Sequence, residues 1–269
     1  MINKRFWIIF VSLVLLSSVF VMAEKSNFLN SVKDVPSSGH APFTIPKNAV
    51  QISPDEFSLG EAIDSSGRIV QGYLYVHEGN KIKPVKINSQ QSAGDRCYLP
   101  MADGARWKKT ENYAVGNGLD NNMIKTSMNT WDSKVSFHIF GNQNTTQIVD
   151  GADLSSPDGK NEVMLENLGS TNTIAYAVVW GVFYGPIKQR EIVEWDIVFN
   201  SNFPFGDATV NPNVMDYQNI ATHELGHALG LSHPSNACTE ETMYAYASYG
   251  ETKKRTLNNG DIAGVRKLY

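Results

Sequence analysis

The chain has 269 residues, 42% of them hydrophobic and 19% charged, with a formal net charge of −4. That balance suits a globular protein with a full-sized core and excludes the strongly basic surface of a nucleic-acid or anionic-membrane binder. No repeat, heptad pattern or long run of like charges adds to it.

The first 23 residues differ from the rest. Lys4 and Arg5 form a basic head, Phe6 to Val21 is almost wholly apolar, and Val21-Met22-Ala23 offers small residues at the two positions an export peptidase reads. An apolar run of about 16 residues is short for a bilayer span, which takes about 20. Residues 1–23 are therefore predicted to be a cleaved signal peptide, and the mature chain to be secreted, with no membrane attachment. Loss of Lys4 and Arg5 takes the net charge from −4 to −6.

Residues 24–103 are predicted to form a propeptide-like or accessory segment. Pro36, Pro42, Pro46 and Pro54 break regular structure in its first half. Phe57 to Ile63 and Ile69 to His77 then alternate around Asp64-Ser65-Ser66-Gly67, which predicts a hairpin. Residues 104–269 predict a compact α+β domain. A short strand at Tyr113 to Val115 precedes a helix through Leu119, Met123, Ile124, Met128 and Trp131, with Asp120 as its cap. Strands follow at Val135 to Ile139, Glu162 to Leu168, Thr173 to Tyr184 and Ile192 to Phe199. A long helix from Val214 to Leu231 and a short one from Asn259 to Tyr269 complete the layout: a twisted, mixed five-stranded sheet with two long helices and a short C-terminal one.

Residues 222–234 read Thr-His-Glu-Leu-Gly-His-Ala-Leu-Gly-Leu-Ser-His-Pro. His223 and His227, four apart on a helix, project from one face and can grip one metal ion, with Glu224 beside them. Gly230 can take the positive φ that stops the helix, and the chain then delivers His233 before Pro234. Three neutral imidazoles leave a fourth tetrahedral position open, which marks a catalytic zinc rather than a structural one. His138 reads as a partly exposed or hydrogen-bonded strand residue. His40 and His77 carry no assigned role.

His223 to His233 resembles the elongated zinc motif of the metzincins, and Thr242-Met243-Tyr244 resembles their Met-turn, in which Met243 would form an apolar floor beneath the metal. Within that group the chain is most similar to a matrixin catalytic domain. Leu257 to Val265 with Lys267-Leu268-Tyr269 resembles the matrixin closing helix, and Asn161 to Leu168 and Glu194 to Phe199 resemble matrixin sheet strands. The resemblance implies a zincin-like fold and a protein or peptide substrate. It also implies an edge strand, here Thr173 to Val178, that pairs with extended substrate backbone. No histidine lies between His138 and His223, where animal matrixins place ligands of a second zinc, so one zinc is expected. Asp150, Asp153, Asp158 and Asn161 crowd one loop with the hard oxygens calcium takes; a solvated acidic turn is the simpler reading. A monomer is expected.

The implied chemistry is hydrolysis of internal peptide bonds by a zinc-bound water, with Glu224 as general base and acid. Two rivals are a zinc hydrolase acting on a non-protein amide and an inactive binding module of the same fold; retention of Glu224 argues against the second. The chain has two cysteines, Cys97 and Cys238. Arg96-Cys97-Tyr98-Leu99-Pro100 faintly resembles the matrixin cysteine switch, but Tyr98 stands where the switch has Gly. In an oxidising compartment one Cys97–Cys238 bridge is the simpler expectation.

Overall fold

A computed structural model describes residues 43–79, 96–169 and 171–269. The predicted signal peptide and His40 lie outside the described residues. The strands β1 (Val50–Ser53), β2 (Glu56–Ile63) and β3 (Ile69–Gly79) come from the N-terminal segment, and β4 (Leu99–Pro100) and β5 (Glu111–Val115) follow. Then come α1 (Asn121–Asp132), β6 (Phe140–Gln143), β7 (Glu162–Glu166), β8 (Thr173–Val182) and β9 (Glu191–Asn200). The short strands β10 (Phe205–Gly206) and β11 (Met215–Asp216) lead into α2 (Tyr217–Ala228), β12 (Leu231–Ser232), β13 (Tyr246–Ala247) and α3 (Asn259–Leu268). Among the described residues no helix is long and apolar enough to cross a membrane.

The main sheet runs β1-β2-β3-β8-β9-β7-β5-β6, with β13 also paired to β3. The predicted five-stranded mixed sheet is the portion β8-β9-β7-β5-β6. Its β8–β9 pair is antiparallel, and its β9–β7, β7–β5 and β5–β6 pairs are parallel. β8 reads Thr-Ile-Ala-Tyr-Ala-Val-Val-Trp-Gly-Val, apolar at nearly every position, because both its faces are covered. On one face α1 and α2 pack Ile124, Met128, Trp131, Ile220, Ala221 and Leu225 against Ala177, Val179 and Ile197. The Trp131 indole N–H donates to the Thr222 carbonyl at 2.8 Å and so pins the two helices together. On the other face Tyr176, Val178 and Trp180 meet Phe57, Leu59, Val70 and Leu74 of the hairpin.

The predicted hairpin is present, and Asp64 organises its turn. One carboxylate oxygen accepts from the Ser66 and Arg68 amides, both at 2.9 Å, and from the Ser66 hydroxyl at 2.7 Å; the other accepts from Arg68 Nε at 2.8 Å. Gly67 supplies the positive φ the turn needs. Partial burial works to raise the Asp64 pKa, but these donors outweigh it and hold the group at about 2. A depressed carboxyl stabilises the fold above its unfolded pKa of about 4 and loses that contribution as pH falls through its folded value. Asp64→Ala is therefore expected to cost about 1–3 kcal/mol at neutral pH. In urea denaturation series the gap to wild type should close between about pH 4 and pH 2. A gap independent of pH would contradict this account of the turn.

Three expectations need correction. Thr173–Val178 is not an edge, because β3 pairs antiparallel along β8 from Gln71↔Gly181 to Glu78↔Thr173. Val135 to Ile139 alternates like a strand but is a bend, and the strand starts at Phe140. The Asp132 carboxylate accepts the Ile139 amide at 3.1 Å, while the Lys134 and Val135 amides donate back to Trp131 and Asp132 carbonyls. Local side-chain bonding thus overrides the pattern. The long helix begins at Tyr217 rather than Val214, since Met215–Asp216 pairs with Phe205–Gly206 and Asp216 then caps the helix at the Asn219 amide.

Candidate active site

Helix α2 carries His223, Glu224 and His227 on consecutive turns. The chain leaves it at Gly230, where φ is +112°, and a Cβ there would stand 3.1 Å from the Ala105 carbonyl. β12 then pairs with β4 through Leu231↔Pro100 and Ser232↔Leu99, which fixes the approach of His233. His233 Nε2 lies 3.1 Å from both His223 Nε2 and His227 Nε2. Nitrogens bound to one tetrahedral zinc at about 2.0–2.1 Å lie only slightly farther apart than this, so the donor set fits the ion.

The far side of each ring fixes its tautomer. His223 Nδ1–H donates to the Thr242 carbonyl at 2.7 Å, and His227 Nδ1–H to the Leu231 carbonyl at 2.8 Å. A carbonyl can only accept, so both Nε2 atoms present lone pairs to the convergence point. His233 Nδ1 lies 3.1 Å from an Asp55 carboxylate oxygen, an ion-pair distance without good hydrogen-bond alignment. Burial drives the His223 and His227 pKa values well down, so both are neutral ligand candidates.

Glu224 is fully buried, and burial pushes its carboxyl well above the ordinary range despite the opposing charge of Lys254. One oxygen, Oε1, lies 2.8 Å from His77 Nδ1; the other, Oε2, has no protein partner among the described residues. The His77 ring lies on His223 with centroids 3.8 Å apart, and its Nε2 lies 3.0 Å from Lys254 Nζ. Lys254, itself wholly buried with a pKa lowered to about 7 by that burial, also donates to the Tyr244 carbonyl. With Lys254 as donor, His77 Nε2 accepts and its Nδ1–H points to Glu224.

Met243 is buried under α2 where the sequence expected an apolar floor. A Cβ at Gly226 would meet its sulfur at 2.1 Å, so only glycine lets the helix settle on it. Asp261, in the capping box of α3, accepts the Thr242 and Met243 amides at 2.7 and 3.1 Å and holds this turn against the site. His138 is an exposed residue whose Nδ1 pairs with Asp132 at 2.7 Å. Cys97 and Cys238 form a disulfide with Cα atoms 5.4 Å apart, so neither thiol is free to reach the histidines.

The acidic loop residues do not act together. Asp150 and Asp158 both pair with Lys160, and the Asn161 side chain bonds backbone groups of Asn112 and Trp195. Asp153 instead meets Glu194 and Asp196, with ligand oxygens within 4.8 Å of one another. Cavities of about 350 Å³, lined by Leu165, Phe203 and Tyr217, and about 220 Å³, lined by Arg68, Trp107 and Glu191, lie elsewhere and include none of the three histidines.

A family model described as matrixin matches residues 103–269. The chain belongs to the matrixin family. Among its relatives, human matrix metalloproteinase-16 is 36% identical over 74 residues, which cover 28% of this chain and 12% of that protein. Metalloendoproteinase 1-MMP of Arabidopsis thaliana is 46% identical over 56 residues, 20% of this chain and 14% of the relative. Human matrilysin is 43% identical over 49 residues, 18% of each. The matched stretches thus span less than a fifth of these three relatives. The matrixin match leaves β1, β2 and β3 outside it, so the strands that bring His77 and Asp55 to the site have no counterpart in that assignment.

Proposed function

We propose that the chain is an exported zinc endopeptidase that cuts internal peptide bonds of proteins, with one zinc held by His223, His227 and His233 and Glu224 as general base. What most supports this reading is that three imidazole nitrogens converge and that Glu224, next to His223 on α2, keeps a buried oxygen with no partner among the described residues. When bound, zinc supplies Lewis acidity, lowering the pKa of a water toward about 7 and polarising a carbonyl. Glu224 accepts the proton of the attacking water and hands it to the leaving amine. Its burial raises its basicity, which suits the first of these transfers. Burial keeps His223 and His227 neutral, the form in which an imidazole can offer a lone pair to a metal ion. Residues 104–269 would be the catalytic domain, 1–23 the signal peptide, and 24–103 the propeptide-like segment of a monomeric enzyme. Elemental analysis of material recovered from the medium is expected to find one zinc per chain. Prolonged phenanthroline treatment should abolish its cleavage of denatured casein, and added zinc should restore it. Cleavage indifferent to the chelator would sink the reading.

Calcium belongs to the same proposal at Asp153, Glu194 and Asp196 rather than across the acidic loop. Glu194 and Asp196 are buried, and each carries one oxygen without a partner among the described residues, an arrangement that hard cations relieve. Millimolar calcium is expected to raise the melting temperature by several degrees and Asp196→Asn to remove that response; an unchanged melting curve would count against the site.

A further inference from the structure

The cavity of about 350 Å³ at the start of α2 lies apart from the three histidines and is built for a ligand of its own. Its walls come from the entry to α1, the end of β7, the segment between β9 and α2, the first turn of α2, and Arg255. None of its lining residues belongs to the N-terminal hairpin, so it is accessible in the full chain while His223 and His227 are buried. Phe203, Phe205 and Tyr217 make aromatic walls, and the Phe205 and Tyr217 rings meet as a corner, 71° apart with centroids at 5.7 Å. Tyr217 is only 7% exposed, and its hydroxyl has no hydrogen-bond partner among the described residues. A buried hydroxyl left in that state costs free energy that a polar group of a ligand recovers.

The charges around the cavity favour a cation. Asp120 and Asp207 line it, and among the described residues each commits only Oδ1: Asp120 to the Asn122 and Met123 amides, Asp207 to Thr209 and Arg255. Arg255 is the one basic residue in the lining, and it is already paired. Its Nε donates to Asp216 at 2.7 Å, and its Nη2 donates to Asp207 at 2.6 Å and to Asp216 as well. The carboxylates of Asp120, Asp207 and Asp216 against one guanidinium leave a negative balance, which two helix N-termini at about +0.5 each reduce but do not cancel. A cation over an aromatic face is held by the ring quadrupole, and a planar guanidinium also stacks on it.

We propose that this cavity docks a basic side chain of the protein substrate, arginine in preference to lysine. The guanidinium lies between Asp120 and Asp207, the stem lies on Phe203 and Phe205, and the Tyr217 oxygen accepts one N–H. That the side chain belongs to a substrate rests on the peptidase reading above. Tyr217 and Glu224 lie seven residues apart on α2, about 10 Å of helix, a distance an extended chain covers in about three residues. One polypeptide can therefore reach both.

The test titrates the full chain, labelled with nitrogen-15, with acetylarginine amide. Acetylcitrulline amide serves as the uncharged isostere and acetylglutamate amide as the acidic probe. Saturable shifts of the Gly118 and Gly206 amides are expected, with arginine held at least about fivefold more tightly than citrulline, the size of one cation–π contact. Tyr217→Phe should weaken arginine binding about tenfold, the loss of one hydrogen bond to a charged group. Its melting temperature should be unchanged or higher, because the hydroxyl has no partner to lose. Citrulline or glutamate bound as tightly as arginine, or no shift at these amides, overturns the proposal. So does a Tyr217→Phe chain that melts lower and binds arginine as before. The occupant is checked by cleavage of denatured casein, where saturating acetylarginine amide is expected to raise KM about threefold or more at unchanged kcat. An unchanged KM with arginine bound removes the substrate from the site. Zinc-loaded protein that never cuts casein takes down the peptidase reading and the substrate assignment with it, while the shifts still decide the cation site.

Discussion

Glu224→Ala is expected to lower kcat/KM for peptide cleavage by about 10²–10⁴-fold, the range for loss of a positioned acid–base group, while zinc content stays at the wild-type value. The carboxylate is not one of the three converging nitrogens, so its removal takes away proton transfer and leaves the metal site whole. His227→Ala should differ in kind. It deletes one of three donors, and both zinc and turnover should disappear together. Glu224→Ala also strips the partner from His77 Nδ1, 2.8 Å away in a buried setting, which should loosen the hairpin by about 1–3 kcal/mol. Glu224→Gln keeps a hydrogen-bonding oxygen and should spare the hairpin while losing activity comparably. Near-normal turnover in either variant would remove Glu224 from the mechanism.

Replacing Cys97 and Cys238 together by serine is expected to lower unfolding free energy by about 2–5 kcal/mol, as loss of a native bridge commonly does. The bridge closes a loop with a sequence separation of 141, long enough for a large chain-entropy effect on the unfolded state. It also fastens the segment leading to β4 against α3, where the Cys97 carbonyl sits so close to Gly260 that a Cβ would be 2.1 Å from it. β4 in turn pairs with the strand that delivers His233. Denaturant titrations of the double variant should therefore show both a lower midpoint and weaker zinc retention. An unaltered midpoint would mean that the bridge contributes nothing.

Much of the site could be read from the sequence because its donors are close along the chain. His223, Glu224, His227, Gly230 and His233 sit within one helix and the turn after it, so spacing alone set their geometry. The cap at Asp120 was legible for the same reason: its carboxylate needs only the Asn122 and Met123 amides. His77 was not. Alternation placed it correctly in a strand, but its partner Glu224 is 147 residues away, and no local pattern says which strand will lie next to which. The same gap produced the wrong edge at Thr173–Val178: periodicity reports how many faces are buried, while pairing order depends on contacts made across the whole chain. Lys254 was hidden by its neighbours. Lys253-Lys254-Arg255 looks like a solvated basic cluster, yet the middle residue points inward to His77 and Tyr244.

The total burial of His223 and His227, the two predicted metal-binding side chains on α2, and of their carboxylate neighbour Glu224 also governs how fast an ion can come and go. With no solvent path to Nε2 of His223 or His227, metal entry and departure in the intact chain must wait for a transient opening of the hairpin. The rate at which a chelator strips zinc then becomes a clock for that opening, independent of chelator concentration once capture is fast. An ion bound before the hairpin first closes would be spared that wait, so loading during folding should be faster than loading of the finished chain.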